Sequence, residues 1–155
     1  MDQFQFESFN VRGHFIRHRN GRGELTRKDD PAEDFFFTLE RRGSQGLVAL
    51  RSVNFRDRCL RHRDFRVVLE GPSGPQDRLF QQDSSFFLEP GMADPNGFSF
   101  RSFNFRHRFL RHRDFHLFVE PEDAPDLAPD ATFFRTLVPA SVIIDPGTAL
   151  EEADG

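Results

Sequence analysis

Residues 101–115, Arg-Ser-Phe-Asn-Phe-Arg-His-Arg-Phe-Leu-Arg-His-Arg-Asp-Phe, constrain this chain more than any other stretch, because the chain writes nearly the same words twice more. Residues 51–65 match them at 12 of 15 positions and residues 7–21 at 8 of 15. The spacing agrees as well. Asn10, Asn54 and Asn104 are separated by 44 and then 50 residues, and so are His18, His62 and His112. Each copy closes with an Asp three residues before a Phe: Asp34 before Phe37, Asp83 before Phe86, Asp130 before Phe133. The chain is a triplicated unit, and repetition on this scale has to be settled before any local reading.

Within each copy the period is that of strands. Phe4-Gln-Phe6 and Phe98-Ser-Phe100 alternate, and residues 109–113 put Arg on one face with Leu110 and His112 on the other. Phe115, Leu117 and Val119 form a further alternating set, as do Val67 and Leu69. Strand ends are marked at Arg12-Gly13, Gly71-Pro-Ser-Gly-Pro75, Pro90-Gly91, Asp94-Pro-Asn-Gly97 and Glu120-Pro121. No segment carries a capped helical pattern. About four short strands per copy follow, near 4–9, 14–19, 23–28 and 35–40 in the first.

Three copies of four strands exclude a propeller of the usual kind, which takes at least four blades. An open solenoid would need polar caps at both ends and tighter repeat lengths. What remains is a barrel closed by one hairpin pair from each copy, with the three Phe/Leu sets meeting on the axis. The predicted class is therefore all-β, a β-trefoil of three pseudo-symmetric repeats near residues 4–43, 46–91 and 97–139. A single domain over 1–155 is expected, with 140–155 as a C-terminal tail.

Composition excludes more than it assigns. The net charge of −4 conceals Arg-rich repeat cores and an acidic tail, so the whole chain does not suit a simple nucleic-acid binder. Alternate Arg in the Arg-His-Arg triplets reads as a solvated strand face with Phe as core, which makes nucleic acid an unlikely partner. Cys59, the only cysteine, stands where the other copies have Phe15 and Phe109, and reads as a buried structural thiol. No apolar run approaches the ~20 residues of a membrane helix. The first strand begins within a few residues of Met1, so no signal peptide is expected; the protein is cytoplasmic if Met1 is its native start and extracellular if it is an excised module. Metal binding through His107, His112 and His116 is not expected, since a strand places residues five apart, such as His107 and His112, on opposite faces. There is no phosphate-binding glycine loop, nucleophile elbow or His-Glu-x-x-His helix, so no catalytic set, metal or cofactor is expected. A monomer is expected.

The second and third copies carry a resemblance. Ser52-Val-Asn-Phe55, Leu60-Arg-His-Arg-Asp-Phe65, Leu110-Arg-His-Arg-Asp-Phe115 and Asp130-Ala-Thr-Phe133 resemble the arabinofuranose-binding β-trefoil domain of α-L-arabinofuranosidases, carbohydrate-binding module family 42, over roughly residues 4 to 138. The resemblance implies a non-catalytic, lectin-like module that binds arabinofuranose side chains of polysaccharides such as arabinoxylan and arabinan. It implies one small pocket per repeat, with the motif His and the later Asp among the contacts. Carried onto this chain, those residues are His18 with Asp34, His62 with Asp83, and His112 with Asp130. The chemistry suits hydroxyl recognition, since a carboxylate accepts from two hydroxyls while an imidazole serves another edge. The same residues admit a scaffold reading, in which His ties a turn and Asp bonds backbone at the start of the Asp-x-x-Phe strand. The chain would then be a structural or protein-interaction trefoil. Asn10, Asn54 and Asn104 read as turn-fixing residues.

Overall fold

The structure, a computed structural model, describes residues 1–139, so the expected tail lies outside the described residues. Twelve strands run through them, four per repeat. They are β1 (Phe4–Ser8), β2 (Phe15–Arg19), β3 (Arg22–Thr26) and β4 (Phe37–Arg41), then β5 (Leu47–Ser52), β6 (Cys59–Arg63), β7 (Arg66–Glu70) and β8 (Phe86–Pro90), and finally β9 (Phe98–Ser102), β10 (Arg108–Arg113), β11 (His116–Pro121) and β12 (Phe133–Leu137). The first and last strand of each repeat close a ring in the order β1, β4, β5, β8, β9, β12 and back to β1. A closed ring leaves no edge to recruit another chain. The middle strands form the hairpins β2–β3, β6–β7 and β10–β11. These cap one end of the ring, where β3, β7 and β11 pair with one another through Arg22↔Val68, Arg66↔Phe118 and His116↔Glu24. Six ring strands and three capping hairpins make a β-trefoil, as the triplication requires.

The core follows from strand alternation repeated three times. Phe6, Leu50 and Phe100 occupy one position of the three repeats; Ile16, Leu60 and Leu110 a second; Phe37, Phe86 and Phe133 a third; Leu25, Leu69 and Val119 a fourth. All but Leu69 are fully buried, each stabilising the fold by roughly 1.5–3 kcal/mol relative to exposure. The fifth set, on the axis, breaks the symmetry. Val67 and Leu117 fill it, and the third member is Gly23, where an added Cβ would lie 2.9 Å from Val67 Cγ1 and 3.1 Å from Leu117 Cδ1. Three side chains do not fit where two already meet.

The cap is tied by its turns. Asn20-Gly21, Asp64-Phe65 and Asp114-Phe115 have positive φ at both positions, the geometry a two-residue hairpin loop of type I′ needs. Gly21 suits that role, whereas Phe65 and Phe115 hold it against the steric preference of a Cβ. Cap assembly supports them: the carbonyls of Gly21, Phe65 and Phe115 accept the N–H groups of Leu69, Val119 and Leu25 at 2.8, 2.8 and 2.9 Å. Near the axis, Arg66 Nη1 donates to the carbonyls of Gly23, Val67 and Leu117 at 2.7, 2.9 and 2.8 Å.

Two expectations need correction. The absence of a capped helix fails at α1 (Arg78–Asp83), where the Asp77 side chain accepts the Phe80 N–H at 3.0 Å. A helix of six residues is too short to write a periodic pattern, and packing rather than propensity stabilises it. Its counterparts are α2 (Leu127–Asp130) and a 3-10 turn at Ala32–Phe35. Phe80, Leu127 and Phe35 from these segments bury into three satellite clusters outside the barrel, one of them with Ala49 and Cys59. Burial raises the Cys59 thiol above its ordinary range. The second correction concerns the Arg-His-Arg triplets: the first arginine of each, Arg17, Arg61 and Arg111, is buried, and the second, Arg19, Arg63 and Arg113, is exposed. The outer face of β2, β6 and β10 is covered halfway along by the short helical segments, so alternation does not bring every second residue to water.

Candidate functional site

Each short helical segment covers a buried arginine. On β6, Cys59, Arg61 and Arg63 share the outer face; α1 crosses it and places Asp83 against Arg61, while Phe80, three residues earlier on the same helical face, packs on Cys59. The Arg61 guanidinium donates from Nη2 to Asp83 Oδ2 and from Nε to the His62 carbonyl at 3.3 Å. Arg111 repeats this with Asp130 and the His112 carbonyl, and Arg17 with Asp34, at 2.8 Å, and the His18 carbonyl. A buried guanidinium fixed on two sides thus holds each carboxylate in place.

All three expected His–Asp pairs come together. Nε2 lies 3.6 Å from the nearer carboxylate oxygen in His18/Asp34, 3.4 Å in His62/Asp83 and 3.6 Å in His112/Asp130. The residue that completes each cluster arrives from another repeat. Asn54 joins His18 and Asp34, Asn104 joins His62 and Asp83, and Asn10 closes the circle at His112 and Asp130. The Asn Nδ2 donates to the Asp at 2.8, 2.8 and 2.6 Å, which settles the amide orientation. Its Oδ1 then faces the His Nε2 at 2.8, 3.0 and 2.7 Å and must accept from it. The same Oδ1 accepts from Ser52, Ser102 or Ser8 at 2.9, 3.2 and 3.0 Å.

Those serines do the turn-fixing that the asparagines were expected to do. Ser8, Ser52 and Ser102 Oγ accept the N–H groups of Val11, Phe55 and Phe105, three residues on, at 3.0, 3.0 and 3.2 Å. The Ser-x-Asn recurrence was the available signal. It did not show which His each Asn would meet, because the partners lie 36, 42 and 102 residues apart.

With Nε2–H committed, Nδ1 is the free ring nitrogen. Among the described residues it has no hydrogen bond in any of the three histidines, so it is left as an acceptor for a ligand wherever the cluster is open. Burial lowers His112 below its ordinary 6.5, with Asp130 opposing and the Arg111 charge adding to the effect, so its ring is neutral at pH 7. Beside it lies a cleft of about 510 Å³, walled by Val11, His112, Phe115, Pro125, Asp126 and Asp130. The arrangement offers a carboxylate with spare lone pairs, an imidazole acceptor and an exposed aromatic face to a small polar ligand. The carboxylates bond to side chains and not to backbone, which separates them from the scaffold role as expected, yet each is also half of a buried ion pair.

Comparison with known proteins bears on what such a ligand is. A family model described as "Alpha-L-arabinofuranosidase B (ABFB) domain" matches residues 1–88 and 77–140. Among solved structures, an arabinofuranosidase complexed with arabinofuranosyl-alpha-1,2-xylobiose superposes with a TM-score of 0.72 at 18% identity, over 86% of this chain and 30% of that one. This chain therefore spans less than a third of that enzyme's length. A BEL beta-trefoil aligns at TM-score 0.64 and 21% identity over 88% and 93% of the two chains. The designed threefold-symmetric protein ThreeFoil aligns at 0.66 and 8% identity over 86% and 97%. At these identities the likenesses speak for the fold. No curated protein sequence matches the chain.

Proposed function

The chain belongs to the alpha-L-arabinofuranosidase B (ABFB) domain family, the non-catalytic part of arabinofuranosidases and a carbohydrate-binding module family, and from that premise we propose that it binds terminal arabinofuranosyl side chains of polysaccharides such as arabinoxylan and arabinan. The observation that carries the reading is the His112/Asp130 cleft, where a fixed carboxylate, a free Nδ1 and the Phe115 ring surround a space of about 510 Å³. Neutral sugar hydroxyls both donate and accept. Asp130 and His112 Nδ1 accept hydrogen bonds from them, and the ring of Phe115 offers an apolar face to the C–H side of a furanose. A pocket of this size holds one sugar, so binding is weak per site.

The module has no catalytic role in this reading and serves to bring an associated activity, or the protein itself, to arabinose-bearing glycan. Arg17, Arg61 and Arg111 are committed to Asp34, Asp83 and Asp130, which withdraws one arginine of each Arg-His-Arg triplet from any phosphate ligand. The test is retention on insoluble arabinoxylan before and after enzymatic removal of its arabinose. Retention that disappears with the side chains supports the proposal, and equal retention on both polymers refutes it.

A further inference from the structure

The three clusters share their polar groups but not their walls. The residue after each motif Asn is Val11, Phe55 or Phe105, and its N–H is pinned to the preceding Ser Oγ in all three turns, so the side chain starts from the same place each time. Phe55 lies edge-on to His18, with ring centroids 5.3 Å apart at 75°, and Phe105 lies edge-on to His62 at 5.4 Å and 76°. At His112 the residue in this position is Val11, which carries no ring.

The hairpin turns add a second difference. In the second repeat, Phe65 stacks on His62 at 6.1 Å and 24°, and packs edge-on against Phe105 at 5.1 Å and 82°. The Arg108 guanidinium sits 3.6 Å from the centroid of Phe65, against that same ring. His62 is therefore roofed by two interlocked rings. Phe115 has the same turn geometry, φ 65° in both, but Val11 gives it no ring to meet; it is 52% exposed and lies instead 5.5 Å from His14. In the first repeat the turn residue is Gly21, which supplies no aromatic platform at all. The side chains of His112 and Asp130 are 8% and 13% exposed, against 5% and 7% for His62 and Asp83 and 4% and 13% for His18 and Asp34, so His112 is the most open of the three imidazoles.

We propose that the residue following the motif Asn gates each cluster, that Val11 leaves the His112/Asp130 cleft as the one open sugar site, and that Phe105 with Phe65 closes the His62/Asp83 cluster. This rests on the carbohydrate reading above and assigns which of the three symmetry-related sites operates. It makes the protein functionally monovalent in spite of its threefold sequence, and it locates the cause in a residue contributed by the neighbouring repeat.

The experiment is a titration of the whole chain with an arabinofuranosyl-substituted xylobiose, read by the NMR shifts of the histidine ring nitrogens. In the native protein the His112 resonances should move and those of His18 and His62 should stay. Val11→Phe should weaken binding at least tenfold, and because Phe is already accommodated at the other two turns, its guanidinium unfolding midpoint verifies folding independently. Phe105→Val should bring the His62 resonances into the response. Val11→Phe that binds as tightly as the native protein, or a native titration in which all three histidines shift together, overturns the gating inference while sugar binding stands. A native protein whose histidines do not respond to the arabinofuranosyl ligand, or to arabinoxylan fragments, refutes the carbohydrate reading and the gate with it.

Discussion

Replacing Asp83 by Ala should test whether the clusters are clamps as well as pockets. The substitution removes the carboxylate that accepts from Arg61 Nη2 and from Asn104 Nδ2, both in buried or half-buried surroundings. Stranding one partner of a buried ion pair costs about 3–5 kcal/mol, and an unsatisfied amide about 1–3 kcal/mol. The two belong to one network and do not simply add. Glu70, whose carboxylate stands 3.5 Å from Arg61 Nη1, offsets part of the charge. The net expectation is about 3–4 kcal/mol, a large share of the 5–15 kcal/mol typical of a domain. Asp83→Asn keeps the shape and one acceptor for Asn104, and should cost about half as much. The double change Arg61→Met with Asp83→Leu should recover most of the loss, because an apolar pair needs no desolvation. Guanidinium unfolding of the four proteins, with midpoints and slopes fitted together, gives the three costs. An Asp83→Ala protein within 1 kcal/mol of the native one would refute the clamp and return Asp83 to the surface.

Three further perturbations address the cap, the thiol and the pH response. Gly23→Ala forces a methyl into the space beside Val67 and Leu117 and should cost about 1–3 kcal/mol, relieved by adding Val67→Ala; an undiminished unfolding midpoint would mean the axis is not full. Cys59, buried against Ala49 and Phe80 with its thiol raised by burial, should react with an aromatic disulfide only on unfolding, and prompt labelling of the native protein would contradict that packing. His112 is lowered from 6.5 by burial, so below pH 6.5 the unfolded chain takes up the proton first and stability falls as pH drops toward the folded value. His112→Gln should flatten that slope in unfolding midpoints measured between about pH 7.5 and 5, the range in which histidine charge changes; an unchanged slope would assign the pH response elsewhere.

What the sequence determined by itself was the architecture and the composition of each cluster. Threefold recurrence with period-two alternation leaves a chain of this length few ways to bury Phe6, Leu50 and Phe100 except around one axis, and a His and an Asp repeated together in each copy were legible as partners. Tertiary structure decided what each face meets. Alternation tells which side of a strand Arg61 occupies but not that α1 lies over that side, since a six-residue helix capped by Asp77 leaves no periodic trace. Nor does any local pattern place Asn104 on His62 or Asn10 on His112, because ring closure alone brings the Ser-x-Asn turn of one repeat over the histidine of another. For the same reason Val11 looks in the sequence like a minor lapse from the Phe of the other copies. Once the ring closes, the missing phenyl group lies at the mouth of the His112 cleft, and a loss of bulk 101 positions from that histidine becomes an opening beside it.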